Sequence, residues 1–305
     1  MVAAPTERWS WGCLIAALCL AAWGGLGGVQ IPSQIQLALA GGAVALAGLP
    51  HGAADGWLAL QGGIAATRPR AVCFFAGYLG LAVLVVVGWN ALPVICLGVF
   101  LAISVWHFGD GRIMQPLALA RIASGLVVLG APVVMSGTEV TQIYQVLSGP
   151  GAMVLAKAQW LLFWPACMVV VVAAFIRSAQ WRTIAPPLLE HVALVGLAGL
   201  LSPLMYFVVF FCGIHSPRHM SAVLQLARTG ARRLLWGSVW ALTLISIAAG
   251  GLVFLWLIRS GQPPEAAAQR VIFIGLAALT LPHMVWVDGL YPWMRRRVTG
   301  ATSLS

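Results

Sequence analysis

Five of the six histidines sit inside long apolar stretches, each in a short motif: Pro50-His51-Gly52, Trp106-His107-Phe108-Gly109, His215-Ser216-Pro217-Arg218-His219 and Pro282-His283-Met284. An imidazole offers a lone pair to a metal ion. In a hydrocarbon environment it is costly unless something holds it, so each of these residues is a functional-site hypothesis. Together they read as one buried site, most simply a metal centre. His215 and His219 are four apart and share one face of a helix. Pro217 between them has no N–H and crowds the carbonyl of Gly213, so a kink is expected. Asp55, four residues after His51, suits the carboxylate that takes the second ring N–H of a ligating histidine; its other reading is a helix cap.

The remaining neighbours are polar anomalies or aromatic walls. Trp106 and Phe108 flank His107 and either line an apolar pocket or face lipid. Asp110 is either a partner to the site or a residue at the inner interface. His283, with Trp286 and Asp288 beyond it, is a ligand, a hydrogen-bonding partner or a substrate contact. Arg218 is costly at a helix centre. It either snorkels or pairs with one of the carboxylates Asp55, Asp110 and Asp288. His191, after Glu190, has no companion motif and reads as interfacial. All-imidazole ligation suits Zn, Cu, Fe or Ni. Haem is an alternative, but it leaves three histidines unexplained.

The elements that carry these residues follow from composition. The chain is 61% hydrophobic and 8% charged, with a mean hydropathy of +0.95. A soluble domain carries about 25% charged residues. Apolar runs of the length needed to cross a hydrocarbon core recur throughout. The expected fold is all-α: a polytopic integral membrane bundle of about ten segments, forming one transmembrane domain over residues 1–305. The segments are roughly 11–28, 36–62, 71–88, 93–110, 118–135, 158–176, 186–200, 203–227, 234–258 and 270–292. The second is interrupted around Gly48-Leu49-Pro50. The seventh and eighth are joined through Leu201-Ser202-Pro203, and merging them gives nine. The connection 136–157 is read as the longest outer loop.

The net charge of +10 serves topology rather than nucleic acid. Of the 17 Lys and Arg residues, Lys157, Arg259 and Arg270 fall in outer loops and Arg218 inside a segment; the others lie in inner loops if the N-terminus is inside. That bias favours ten segments and cytoplasmic termini. His51, His107, His215, His219 and His283 then lie at similar depth on segments running the same way, which lets them converge. The six cysteines fall in apolar runs without a C-x-x-C pair and read as small core hydrophobes. Nucleotide-binding and hydrolase signatures such as G-x-G-x-x-G, Walker A, G-x-S-x-G and H-E-x-x-H are absent from the sequence.

Pro50-His51-Gly52-Ala53 with Asp55, Ser104 with His107-Phe108-Gly109, His215-Ser216-x-Arg218-His219 and Leu281-Pro282-His283-Met284 resemble the Brp/Blh family of bacterial β-carotene 15,15′-dioxygenases, in order and over most of the chain. The resemblance implies an Fe(II) enzyme of the inner membrane that cleaves β-carotene at its central double bond with O2, giving two retinals, a supply that a rhodopsin could use. It implies His51, His107, His215 and His219 as iron ligands, with His283 a site residue of open role. Gly56 stands where some members carry a polar residue. A C40 polyene dissolves in the bilayer, so a site at membrane depth needs only apolar walls, for which Trp106, Phe108, Phe207, Phe210, Phe211 and Trp286 are candidates. Two other classes compete: a histidine-lined transporter or channel, which needs polar lining along a whole path, and a haem-bearing electron-transfer subunit.

Overall fold

The computed structural model describes residues 5–26, 31–109, 118–227 and 231–290. Among these the regular structure is helical, with no strands. Each of the ten expected segments contains a helix. Among the described residues seven helices are long and apolar enough to cross a membrane: Ser33–Gln61, Arg68–Ala91, Ala118–Met135, Pro150–Ile176, Trp181–Leu200, Arg232–Arg259 and Pro264–Gly289. Pro93–Phe108 is a shorter apolar helix. The helical outsides are apolar, with Val72, Leu79, Val83, Leu84 and Val87 exposed on Arg68–Ala91. A surface of that kind is at home in lipid rather than water.

The chain divides into two compact units. The first comprises residues up to Ala43 with Pro93–Arg218, and the second comprises Val44–Leu92 with the chain from His219 onward.

In the first unit the helices are α1 (Pro5–Leu26), α2 (Ser33–Ala43) and, after the second unit's own α3 (Leu49–Ala53), α4 (Asp55–Gln61) and α5 (Arg68–Ala91), a series from α6 to α11. These are α6 (Pro93–Phe108), α7 (Ala118–Met135), α8 (Gly137–Ser148), α9 (Met153–Ile176), α10 (Trp181–Leu200) and α11 (Pro203–Phe207). α7 lies at its centre, packed on α6, α9 and α10. It buries Ala120, Ala123, Ser124, Gly125, Gly130 and Ala131, small residues that let helix backbones approach closely where lipid gives no hydrophobic drive to association. A Cβ at Gly125 would collide with the carbonyl oxygen of Val105 on α6.

Leu201-Ser202-Pro203 does separate two helices. The Ser202 hydroxyl caps α11 by accepting from the Met205 N–H, and Pro203 begins it. The connection 136–157 is not a loop. It holds α8 and the first turn of α9, joined through Gly149 at φ +79°. Val140 and Leu147 give α8 a buried side, and the Tyr144 hydroxyl donates to Gln159 Oε1 at 2.6 Å. Burial pushes the Tyr144 phenol above its ordinary range.

In the second unit α14 (Pro264–Met284) packs on α5 and on α13 (Arg232–Arg259), and α13 also packs on α3. Ala54, Trp57 and Leu58 bury themselves against Val223 of α12 (Ser216–Leu226) and Leu235 and Val239 of α13.

Three π-helical stretches flank histidine motifs: Val44–Gly48 before His51, Val208–His215 ending on a histidine, and Val285–Leu290 just after His283. The disturbance expected at Pro217 takes this form, with the Ser216 N–H donating five residues back to Phe211. Wide turns of this kind are rare, recur at functional sites, and re-aim the side chains beyond them.

Candidate metal centre

In the second unit three imidazoles and a carboxylate are brought together in apolar surroundings. Pro50 suits the start of α3 and His51 follows it. The α-helix breaks at Ala54 and restarts at Asp55. His51, Asp55 and His283 are 4%, 1% and 1% exposed. His51 Nε2 stands 3.0 Å from His283 Nε2. The His219 ring lies 4.2 Å from that of His51 and 5.1 Å from that of His283, between centroids. His283 Nδ1 is 2.9 and 2.8 Å from the two Asp55 oxygens.

Spacing alone assigns Asp55 to His51; the structure gives it His283 as a partner, on the ring that His51 meets from its other nitrogen. The Tyr78 hydroxyl, which the sequence reading overlooked, is 3.1 Å from Asp55 Oδ2 and 3.0 Å from the carbonyl of Leu279. Its single proton serves two acceptors. The only sequence signal for Tyr78 is one phenol in an otherwise apolar segment. Asp55, His219 and His283 place ligand atoms within 4.8 Å of one another, close enough to hold an ion.

In the first unit His107, near the end of α6, and His215, at the end of its π-helix, face each other with Nε2 atoms 3.2 Å apart. The Phe108 ring stands edge-on to His215 at 4.8 Å and also meets Phe210. Phe211 stacks on His215 from another side, with Phe207 stacked on Phe211 in turn. These aromatics clamp the His215 ring. Trp106 does not join them: it is 38% exposed, with the Arg121 guanidinium 4.4 Å over its ring. Its ring faces outward, with Arg121 laid over it. Gly109 lets the end of α6 lie against the backbone of Arg121, whose carbonyl oxygen a Cβ would strike.

Arg218 pairs with a carboxylate that was not among those named for it. Its Nη1 and Nη2 donate to Glu190 Oε1 and Oε2 at 2.6 and 2.8 Å, and its Nε donates to Ser10 Oγ at 2.8 Å. Glu190 on α10 is buried, which composition and position near a segment end do not reveal. His191, read from sequence as having no companion motif, has partners. It is buried, with Nε2 2.7 Å from Ser124 Oγ and Nδ1 2.7 Å from the Pro187 carbonyl. Trp286 is buried against Ala59 and Ala65, with Phe74 edge-on to its ring at 5.2 Å. Asp110 lies outside the described residues.

Two imidazole nitrogens at 3.0–3.2 Å cannot both present lone pairs to each other without a proton or a cation between them. Two nitrogens about 2.1 Å from one ion and at right angles to it are about 3.0 Å apart, so both pairs have the spacing of neighbouring ligands on an octahedral ion. The donor set, imidazoles with a carboxylate behind one of them, fits a first-row transition metal.

The chain is similar to known proteins over most of its length. It is 32% identical over 259 residues to a β-carotene 15,15′-dioxygenase from the uncultured marine bacterium 66A03, a match covering 81% of this chain and 91% of that protein. No solved structure matches it. A profile of the β-carotene 15,15′-dioxygenases matches residues 42–291, a span that includes all five motif histidines and both imidazole pairs, and the chain belongs to that family.

Proposed function

We propose that this chain is a multi-pass membrane dioxygenase that cleaves β-carotene at its 15,15′ double bond with O2. His51, His107, His215 and His219 hold Fe(II), and the termini lie on the cytoplasmic side of the inner membrane. The observation that carries the reading is the pair of nitrogen-to-nitrogen imidazole contacts, His51 with His283 and His107 with His215, in a chain whose family is named for this reaction. Ferrous iron, when bound, supplies the activation of O2 that a closed-shell polyene cannot provide by itself.

The reaction balances without a reductant. The central C=C bond breaks and each of its carbons takes one oxygen atom, giving two C20 aldehydes. It needs no general acid or base, in keeping with a chain that is 8% charged. The protein's own tasks are orientation and exclusion of water. Phe108, Phe207, Phe210 and Phe211 offer apolar faces around His215, and a polyene reaches them from the bilayer without being extracted into water. Retinal released into the membrane would be available to a rhodopsin.

The test is expression in a bacterial host that accumulates β-carotene. Loss of orange colour with the appearance of retinal is expected, and His215→Ala and His219→Ala are expected to abolish it. Unchanged carotenoid with the wild-type chain well expressed in the membrane would overturn the substrate. A Soret band in the purified protein would overturn non-haem iron.

A further inference from the structure

The ligand set implied by the resemblance leaves out His283, although it is the most buried of the described histidines. We propose that His283 is itself a ligand of the ion, alongside His51 and His219, and that Asp55 is the positioning residue that aims it. The inference rests on the reading that this chain binds iron.

Proton placement is the first argument. Both oxygens of Asp55 lie within 2.9 Å of His283 Nδ1. A carboxylate at that position holds the ring proton on Nδ1, which leaves the lone pair on Nε2. This is the arrangement by which a carboxylate behind a ligating histidine selects its tautomer and raises its basicity. The second argument is where that lone pair points. His283 Nε2 faces His51 Nε2 at 3.0 Å, the distance between neighbouring ligands on an octahedral ion. The His219 ring stands against both.

The third argument is the support given to Asp55. Tyr78 on α5 reaches it while also contacting the Leu279 carbonyl on α14. The carboxylate is thereby pinned between the helix that carries His283 and the helix packed against it. A contact to an apolar polyene has no use for a lone pair with a fixed direction, nor for a buried carboxylate to fix it. A metal ligand uses both.

The experiment uses the full-length protein in detergent, stripped of metal and titrated with Co(II), whose visible spectrum reports coordination, and with Fe(II). His283→Ala is expected to weaken binding of either ion at least tenfold and to change the Co(II) spectrum. Asp55→Asn is expected to keep the wild-type spectrum at about tenfold weaker affinity, the usual scale for a partner one step behind a ligand. His283→Cys, loaded with Co(II), is expected to gain a thiolate-to-cobalt charge-transfer band, which a side chain outside the coordination sphere cannot produce. If His283→Ala keeps wild-type affinity and spectrum, His283 is not a ligand while the iron reading stands. If His283→Ala cannot be purified folded, His283→Cys decides: wild-type affinity without the new band overturns the assignment. A wild-type protein that takes up neither ion overturns the iron reading and this inference with it.

Discussion

Arg218 and Glu190 meet at two points inside the first unit, Nη1 on Oε1 at 2.6 Å and Nη2 on Oε2 at 2.8 Å, with Ser10 accepting from the remaining guanidinium edge. The pair joins the start of α12 to α10 and α1. It places a guanidinium with a bond at each of its three nitrogens immediately before His219 in the chain.

Removing the carboxylate leaves that charge without its partner. Glu190→Ala is expected to cost about 3 kcal/mol, the lower end for a broken buried pair, because the Arg218 side chain keeps 27% of its exposure. Arg218→Lys loses the two-pronged geometry and is expected to fall between wild type and Glu190→Ala. Thermal unfolding in detergent measures both. Wild-type stability of Glu190→Ala would mean that the pair contributes nothing measurable.

Gly125 and Gly80 separate packing from helix propensity. A Cβ at Gly125 would drive into the Val105 backbone, whereas nothing lies within 4 Å of one at Gly80. Gly125→Ala is expected to cost about 3 kcal/mol or more, since backbone cannot yield as a side chain does. Gly80→Ala is expected to be neutral or stabilising by about 0.5–1 kcal/mol. The yield and unfolding temperature of the two proteins purified in parallel report the difference.

Trp106 and Phe108 flank the same histidine and are expected to behave oppositely. Phe108→Ala removes the ring edge-on to His215. It is expected to lower retinal formation about tenfold while metal uptake persists, the scale of a modestly misoriented site. Trp106→Leu gives up an outward face and its cation–π contact with Arg121, worth about 0.5–1 kcal/mol, and is expected to leave turnover near wild type. Retinal formation by each variant at matched metal content checks the contrast.

Much of the molecule follows from local pattern. The ten apolar segments correspond to helices because a chain in lipid must satisfy its backbone internally, and helix is the local way to do so. The π-helical stretch ahead of Pro50 and the break at Ser202-Pro203 follow from residues that cannot continue a regular helix or that cap one. The histidine motifs mark themselves, since an imidazole in an apolar segment needs a reason. The helix at Gly137–Ser148 was missed because its polar face reads as loop when only hydropathy is followed.

Partnership was the part that local pattern missed. Asp55 pairs with His283, 228 residues away; Arg218 with Glu190; His191 with Ser124. Residue type and spacing determined that this chain is a membrane helical protein with histidines meant for a site. Which nitrogen faces which, and which carboxylate stands behind it, was decided by helices meeting in three dimensions, because a buried polar group is satisfied by whatever the fold brings within about 3 Å and not by its neighbours in sequence.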